Sequence, residues 1–156
     1  MNGIRLSSNL TVRDTDPLVR EHRVQDIHIL PGVALLDTIY RTLQAGGQDI
    51  ETVVLKDILF HEPVVTRAEL DRHLTVTAEL SGQRGRIRIT SLPSSEGTIL
   101  SQEATLHLTC AMKFERTAAT PPLAEPPRGF EAQREDLDAC YKVTRRIGIF
   151  HDDFMT

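Results

Sequence analysis

The chain has 156 residues, which is enough for one domain with a sizeable hydrophobic core. Its net charge of −4 and the lack of a Lys/Arg-rich segment argue against a nucleic-acid-binding protein. Aromatic residues make up only 4% of the chain, so Leu, Ile and Val must build the core. We find no apolar run of signal-peptide or membrane-span length, and the two cysteines lack the spacing of a metal or redox motif. We therefore expect a cytoplasmic protein with reduced thiols, no metal site and no membrane contact.

The first third of the chain predicts a strand, an extended segment and a helix. Residues 4–13 alternate apolar and polar side chains, as one strand would. An extended segment then leads to Pro31-Gly32, which suits the first turn of a helix, and Gly46-Gly47 suits its end. At helical spacing, the apolar face of this amphipathic helix is formed by Val33, Leu35, Leu36, Ile39, Tyr40 and Leu43. The polar face carries Thr38, Arg41, Thr42 and Gln44, with Asp37 at the seam.

The N-terminus of this helix suits a carbonyl group. The first N–H groups of a helix have no partner within it, and the helix dipole places partial positive charge there. A carbonyl oxygen beside Gly32 would meet both. His22, nine residues before Pro31, could approach the same point from the incoming segment.

This segment resembles a known family. The pattern H-x-x-x-G-x-x-x-x-P is the N-terminal signature of polyketide-synthase dehydratase domains, and His22 to Pro31 is similar to it, with Asp26 in place of the glycine. The stretch from Pro31 to Asp37 is also similar to the central helix of fatty-acid β-hydroxyacyl-carrier-protein dehydratases. The resemblance covers roughly residues 5–115. It implies a hot-dog fold, in which an antiparallel β-sheet wraps a central α-helix.

The same resemblance implies a reaction. Such domains remove water from 3-hydroxyacyl thioesters on acyl carrier protein, which gives 2-enoyl thioesters. The phosphopantetheine arm of the carrier protein brings the substrate, so no metal or dissociable cofactor is implied. His22 would be the base, because imidazole titrates in the range that removal of the α proton needs. Pro31 and Gly32 would bind the substrate, with the N–H of Gly32 on the thioester carbonyl.

Two further polar residues have alternative interpretations. Asp37 is either a solvated carboxylate that pairs with Arg41 at i+4, or the acid partner of a His22 in another subunit. By resemblance to polyketide dehydratases, the acid would instead be an Asp of a second hot-dog half. His28 is either an alternative base or a surface-loop residue.

The residues after the helix predict an antiparallel meander. Residues 51–65 are apolar and β-branched, typical of a strand that is buried on both faces or contains a bulge, and Pro63 stops it or places it at an edge. Alternation predicts further strands at residues 73–80, 86–90 and 100–115. His107 falls on the polar face of the last and longest of these. One helix followed by such a meander predicts the α+β class from the pattern alone.

The C-terminal part loses this alternation. We assign residues 1–116 to the hot-dog unit and residues 117–134, with their prolines, to a linker. Residues 135–156 resemble the start of a second hot-dog of the family, in which Tyr141 would help to line a substrate pocket. A single hot-dog leaves a sheet edge and one side of its helix open. We therefore expect either a homodimer or a following second half.

Two other functions are alternatives to an active dehydratase with this fold. A non-catalytic dehydratase remnant would bind acyl carrier protein or scaffold a megasynthase, and Asp26 in place of glycine favours this alternative. A hot-dog thioesterase is the third hypothesis, but the Pro-Gly after the histidine fits dehydratases better.

Overall fold

The computed structural model describes residues 3–115 and the backbone of residues 149–151. The predicted linker at residues 117–134 and Tyr141 lie outside the described residues. The helices are α1 (Pro17–Arg20) and α2 (Gly32–Ala45), with a 3-10 turn at Ile50–Thr52. The strands are β1 (Ile4–Val12), β2 (His22–Val24), β3 (Ile27–Ile29), β4 (Val53–Phe60), β5 (Val65–Thr66), β6 (Asp71–Ser81), β7 (Arg84–Ser95), β8 (Thr98–Ile99), β9 (Thr105–Phe114) and β10 (Ile149–His151).

The described strands form two antiparallel sheets. The larger sheet has the order β1-β6-β7-β9-β4, with β8 paired to β7. The smaller sheet has the order β10-β2-β3-β5. Helix α2 packs on the larger sheet, where it contacts β1 and β6. A single central helix on an antiparallel sheet is the arrangement that the α+β prediction requires.

The core between α2 and the larger sheet is aliphatic, as the composition predicts. The helix contributes Leu35, Ile39 and Leu43, and the sheet contributes Leu74, Val76, Ile87, Ile89 and Leu108 among others. These sheet residues lie on one face of β6, β7 and β9, since alternate residues of a strand share a face. The apolar layer fixes the axis of α2 and therefore the position of its N-terminus.

The predicted bounds of the helix are confirmed, but two of its residues lie on the opposite face from the predicted one. It begins at Gly32 and is capped at Gly46. Val33 was predicted to lie in the core but is 74% exposed. Thr42 was predicted on the polar face but is buried, because its Oγ1 lies 2.5 Å from the Oγ of Ser8 in β1 and donates to the carbonyl of Thr38.

Strand β4 resolves the two alternatives for residues 51–65. The register with β9 shifts between Lys56 and Leu59, and Asp57 has a φ of 51°. The prediction of a bulge is therefore correct. Burial on both faces is wrong, because the strand lies at the edge of the larger sheet and residues 56–60 are exposed.

Strand β9 is shorter than its sequence pattern predicts, and one side chain faces the other way. The strand begins at Thr105, and Leu100 is exposed. The pairing with β7 shifts by one residue at His107, which makes this residue the extra residue of a bulge. The prediction that His107 lies on the polar face is wrong, because its side chain is buried and only 1% of the residue is exposed.

The burial of His107 predicts a pH dependence of stability. Burial and the charge of Arg72 lower the pKa of His107 below 6.5, against an opposing effect of the Glu62 carbonyl and carboxylate. As the pH falls through 6.5, His107 is therefore protonated in the unfolded chain while it stays neutral in the folded chain. We expect the free energy of unfolding to drop below that pH by at most about 1.4 kcal/mol per pH unit from this group. Urea unfolding at pH 7.5 and 5.5 measures the drop, and a His107→Phe variant should show a smaller one; equal drops in both proteins would contradict the assignment.

Candidate active site at the N-terminus of the central helix

The hairpin of β2 and β3 positions the candidate base. Val24 pairs with Ile27, so the loop consists of only Gln25 and Asp26. Both loop residues have positive φ, 51° and 63°, as the two-residue turns that suit a hairpin require. Asp26 thus adopts the left-handed conformation that glycine adopts most readily, and the departure from the family pattern leaves the hairpin intact.

The register of this hairpin sets His22 opposite the residues that lead into α2. Arg23 pairs with His28, and continuing the register sets His22 opposite Ile29. Directly opposite residues of an antiparallel pair share a face and lie about 5 Å apart. Ile29 is two residues before Pro31, and His22 is half-buried. On the other side of β2, the backbone of His151 in β10 pairs with His22.

The N-terminus of α2 is open in the way that a carbonyl-binding site needs. Pro31 is extended, with φ −56° and ψ 139°, and Gly32 is the first helical residue. No side chain caps this end, and its first turn holds no acidic residue. The helix dipole is therefore not neutralised locally. The N–H of Ala34 donates to the carbonyl of Pro31 at 2.9 Å, so the N–H groups of Gly32 and Val33 are the ones that can bind an oxygen.

Phe60 of β4 lies against this corner. A Cβ atom placed on Gly32 would come within 3.0 Å of the Phe60 ring. A larger residue at position 32 would have to displace that ring. Glycine therefore allows β4 and the start of α2 to approach closely. Sequence reasoning missed Phe60, because no motif or period links it to residue 32.

Asp37 is not brought to this corner. It lies five residues beyond Gly32, which is about 7.5 Å along a helix axis. Its carboxylate accepts a 2.6 Å hydrogen bond from Nε of Arg41, and its side chain is 59% exposed. The ion pair at i+4, one of the two sequence-based interpretations, is therefore present. Pro31 and Gly32 are adjacent at the start of α2, and the continued register of β2 and β3 sets His22 opposite Ile29, two residues before Pro31.

His28 has a structural contact. It was predicted to be an alternative base or a surface-loop residue, but it lies half-buried in β3. Its Nδ1 is 2.6 Å from Oδ1 of Asp14, and the Thr66 hydroxyl donates to the same oxygen at 3.4 Å. Because alternate residues of a strand face opposite sides, His28 faces away from the side that Ile29 and His22 share.

The described part of the chain offers little other reactive chemistry. Residues 3–115 and 149–151 contain no group of three or more His, Cys, Asp or Glu side chains that could hold a metal ion. Within the same residues, neither helix is long and apolar enough to cross a membrane. Cys110 is a free, buried thiol, and burial raises its pKa to about 11, so it stays protonated at neutral pH.

Comparison with known proteins identifies the family. A family model described as "Polyketide synthase dehydratase domain" matches residues 1–92, which is more than half of the chain. The chain therefore belongs to the polyketide synthase dehydratase domain family. This agrees with the signature from His22 to Pro31.

Individual relatives and solved structures agree with this assignment. Polyketide synthase ThaG of Burkholderia thailandensis is 31% identical over 103 residues, which are 63% of this chain and 2% of ThaG. Polyketide synthase PksL of Bacillus subtilis is 23% identical over 162 aligned residues, 99% of this chain and 3% of PksL. The chain thus spans only a small part of the synthases that it matches.

Solved dehydratase structures match almost the whole chain. An N-terminal dehydratase from the difficidin assembly line superposes with a TM-score of 0.78 at 28% identity, over 97% of this chain and 53% of that one. A monomeric dehydratase domain from a trans-AT polyketide synthase split module superposes with a TM-score of 0.80 at 18% identity, over 98% and 57%. The hot-dog prediction is confirmed, and the chain spans about half the length of these dehydratases.

Proposed function

We propose that this chain acts as the N-terminal hot-dog half of a dehydratase that removes water from 3-hydroxyacyl thioesters. The substrate is carried by acyl carrier protein in the cytoplasm, and the reaction needs no metal or dissociable cofactor. His22 removes the α proton, and the N–H of Gly32 stabilises the charge that develops on the thioester carbonyl. An Asp of a second hot-dog half protonates the leaving hydroxyl.

The main support for this proposal is the position of His22. The register of β2 and β3, continued by one pair, sets this histidine opposite Ile29, and Ile29 lies two residues before Pro31 at the N-terminus of α2. Removal of the α proton requires a base at the α carbon and a hydrogen-bond donor at the neighbouring thioester carbonyl oxygen. Pro31 shapes the corner, and Tyr141 stays a predicted substrate-binding residue by resemblance.

A related dehydratase supports the origin of the acid in another half. For the CurK dehydratase of the curacin synthase, one His-to-Phe variant and one Asp-to-Asn variant are both described as inactive. In the numbering of that protein, the two positions lie further apart than the 156 residues of the present chain. An acid partner for His22 at such a distance would lie outside this chain.

An exposed apolar surface near the same corner supports a second half as partner. Val33 is 74% exposed and Phe60 is 56% exposed, and Phe60 lies against Gly32. Leu59, next to Phe60, is exposed as well, and β4 is an edge strand of the larger sheet. An exposed edge with large apolar side chains is prone to association, so a covering partner is expected there.

Turnover with and without a second half tests the proposal. We expect the 156-residue chain alone to show no dehydration of a 3-hydroxyacyl-pantetheine and no hydration of the enoyl product. The chain joined to the second hot-dog of its synthase should be active, because only then are base and acid both present. Activity of the chain alone as a dimer would favour the homodimer. No activity in the joined protein would favour the non-catalytic, scaffolding alternative.

The role of Asp37 distinguishes the two active forms. In the joined protein, Asp37→Asn should leave kcat/KM nearly unchanged, because its carboxylate pairs with Arg41 on an exposed helix face. The free energy of unfolding should fall by no more than about 0.5 kcal/mol. Arg41→Gln removes the same ion pair and is the matched control. A large loss of activity in Asp37→Asn but not in Arg41→Gln would make Asp37 the catalytic acid.

A further inference from the structure

The buried His107 makes two side-chain hydrogen bonds that assign its tautomer. Its Nδ1 lies 2.8 Å from the carbonyl oxygen of Glu62, and its Nε2 lies 2.7 Å from Oγ of Ser91. A carbonyl only accepts, so Nδ1 carries the proton, and Nε2 accepts from the Ser91 hydroxyl. The ring is thus a fixed link between β7 and the segment that follows β4.

The backbone of His107 holds the same segment. The N–H of His61 donates to the carbonyl of His107 at 2.9 Å. Residues 61 and 62 are therefore attached to β9 by this backbone bond and by two side-chain bonds, that of His107 to the carbonyl of Glu62 and that of His61 Nε2, which lies 2.9 Å from Oγ1 of Thr109. The segment is otherwise an irregular connection between β4 and β5, which has no ladder of its own to hold it.

This segment in turn holds the residue that precedes the candidate site. The N–H of Leu30 donates to the carbonyl of Val64 at 2.9 Å. Leu30 is buried and is followed directly by Pro31 and Gly32. At the other end of the segment, Phe60 lies against Gly32. One end of the segment at residues 60–64 therefore contacts the first residue of α2, and the other end is bonded to Leu30, two residues before that helix.

We propose that His107 is a positioning residue for the site at the N-terminus of α2. Through the carbonyl of Glu62 it fixes residues 60–64, and these residues fix Leu30 and the N–H of Gly32 that would bind the thioester carbonyl. The inference rests on the proposed function for its catalytic consequence. Its structural part, the coupling of His107 to Leu30, can be tested without turnover.

Two substitutions separate the two hydrogen bonds of the ring. The side-chain nitrogen of Asn lies as many bonds from the backbone as Nδ1 of histidine, so His107→Asn keeps a donor for the carbonyl of Glu62. The terminal amide of Gln lies where Nε2 does, so His107→Gln keeps a partner for Ser91 and loses that donor. Both variants remove the buried ring. Asn is one methylene shorter than Gln and leaves the larger cavity, so a pure cavity effect would disturb His107→Asn more than His107→Gln.

Amide hydrogen exchange in the 156-residue chain reads out the coupling. We expect His107→Gln to raise the exchange rate of the Leu30 amide about tenfold, as loss of one net hydrogen bond would. Relative to the amide of Val76 in β6, which reports the loss of global stability in each variant, His107→Asn should raise the Leu30 rate much less than His107→Gln does. A parallel rise at Leu30 and Val76 in both variants would show a merely structural role and overturn the proposal, as would an unchanged Leu30.

The wild-type protein provides a test that does not depend on the variants folding. Nitrogen-15 NMR of the imidazole should show Nδ1–H and an unprotonated Nε2 at neutral pH; the opposite tautomer would overturn the proposal. In the joined dehydratase, His107→Gln should lower kcat with little change in KM, and His107→Asn should recover most of it. If the exchange rate of the Leu30 amide changed but kcat did not, only the catalytic role of His107 would be overturned. If the wild-type joined dehydratase were inactive, only the proposed function would be overturned.

Discussion

Replacing His22 with alanine is expected to lower kcat/KM for dehydration by about 10²- to 10⁴-fold, the usual contribution of general acid–base catalysis. The reason is positional. The continued register of β2 and β3 sets His22 opposite Ile29, which leads into α2, and within the described residues His28 faces the other side of that hairpin. The measurement is the formation of the enoyl thioester from 3-hydroxyacyl-pantetheine by the joined double hot-dog.

The control for this prediction is His73→Ala. His73 is a half-buried histidine of β6 whose Nδ1 lies 3.4 Å from Oγ1 of Thr11, away from the hairpin. It should retain activity within a factor of about two to three, since surface substitutions away from special features have small effects. Circular dichroism and thermal unfolding should show that both variants fold. If His22→Ala kept more than a tenth of wild-type activity, His22 would not be the base.

The helix was predictable because its ends and its period are local features. Pro31-Gly32 and Gly46 mark the ends of α2, and both signals depend on backbone properties of the residues themselves. Its inward face was predictable only in part. Thr42 is buried because its hydroxyl finds Ser8, which lies 34 residues earlier in the chain. Helical periodicity cannot anticipate such a tertiary partner.

Alternation of apolar and polar residues predicts that a strand is present more reliably than it predicts on which side of the sheet each side chain lies. In β9 a single extra residue at the bulge turns His107 toward the interior, because side chains alternate with a period of two. The sequence around it, Leu106-His107-Leu108, gives no sign of the bulge. The signal that could have found it is chemical: a histidine between two leucines in a core strand needs polar partners, and Ser91 is one of them.

The candidate site was predictable in its spacing but not in its surroundings. The nine residues from His22 to Pro31 accommodate one tight hairpin, and the family signature locates both ends. The left-handed conformation of Gln25 and Asp26 was not foreseeable from residue type, since glycine is the usual residue there. The contact of Phe60 with Gly32 depends on how β4 packs, which no local pattern encodes.

Replacing Ile39 with alanine is expected to lower the free energy of unfolding by about 2–5 kcal/mol, the range found for large-to-small changes in cores. Ile39 is completely buried near the middle of α2, where that helix packs on the larger sheet. The substitution removes apolar contact area and leaves a cavity, and both effects have the same sign. Urea unfolding followed by circular dichroism measures the change.

Val33→Ala is the matched control on the same helix. Val33 is 74% exposed in the first turn of α2, so its truncation should change the free energy of unfolding by no more than about 0.5 kcal/mol. Alanine is also the better helix former, which works against any loss. A large loss at Val33 in the isolated chain would mean that this residue is already covered, as in a homodimer. Equal and small losses at both positions would show that the sheet does not hold α2, and the position of Gly32 would then have no support from the core.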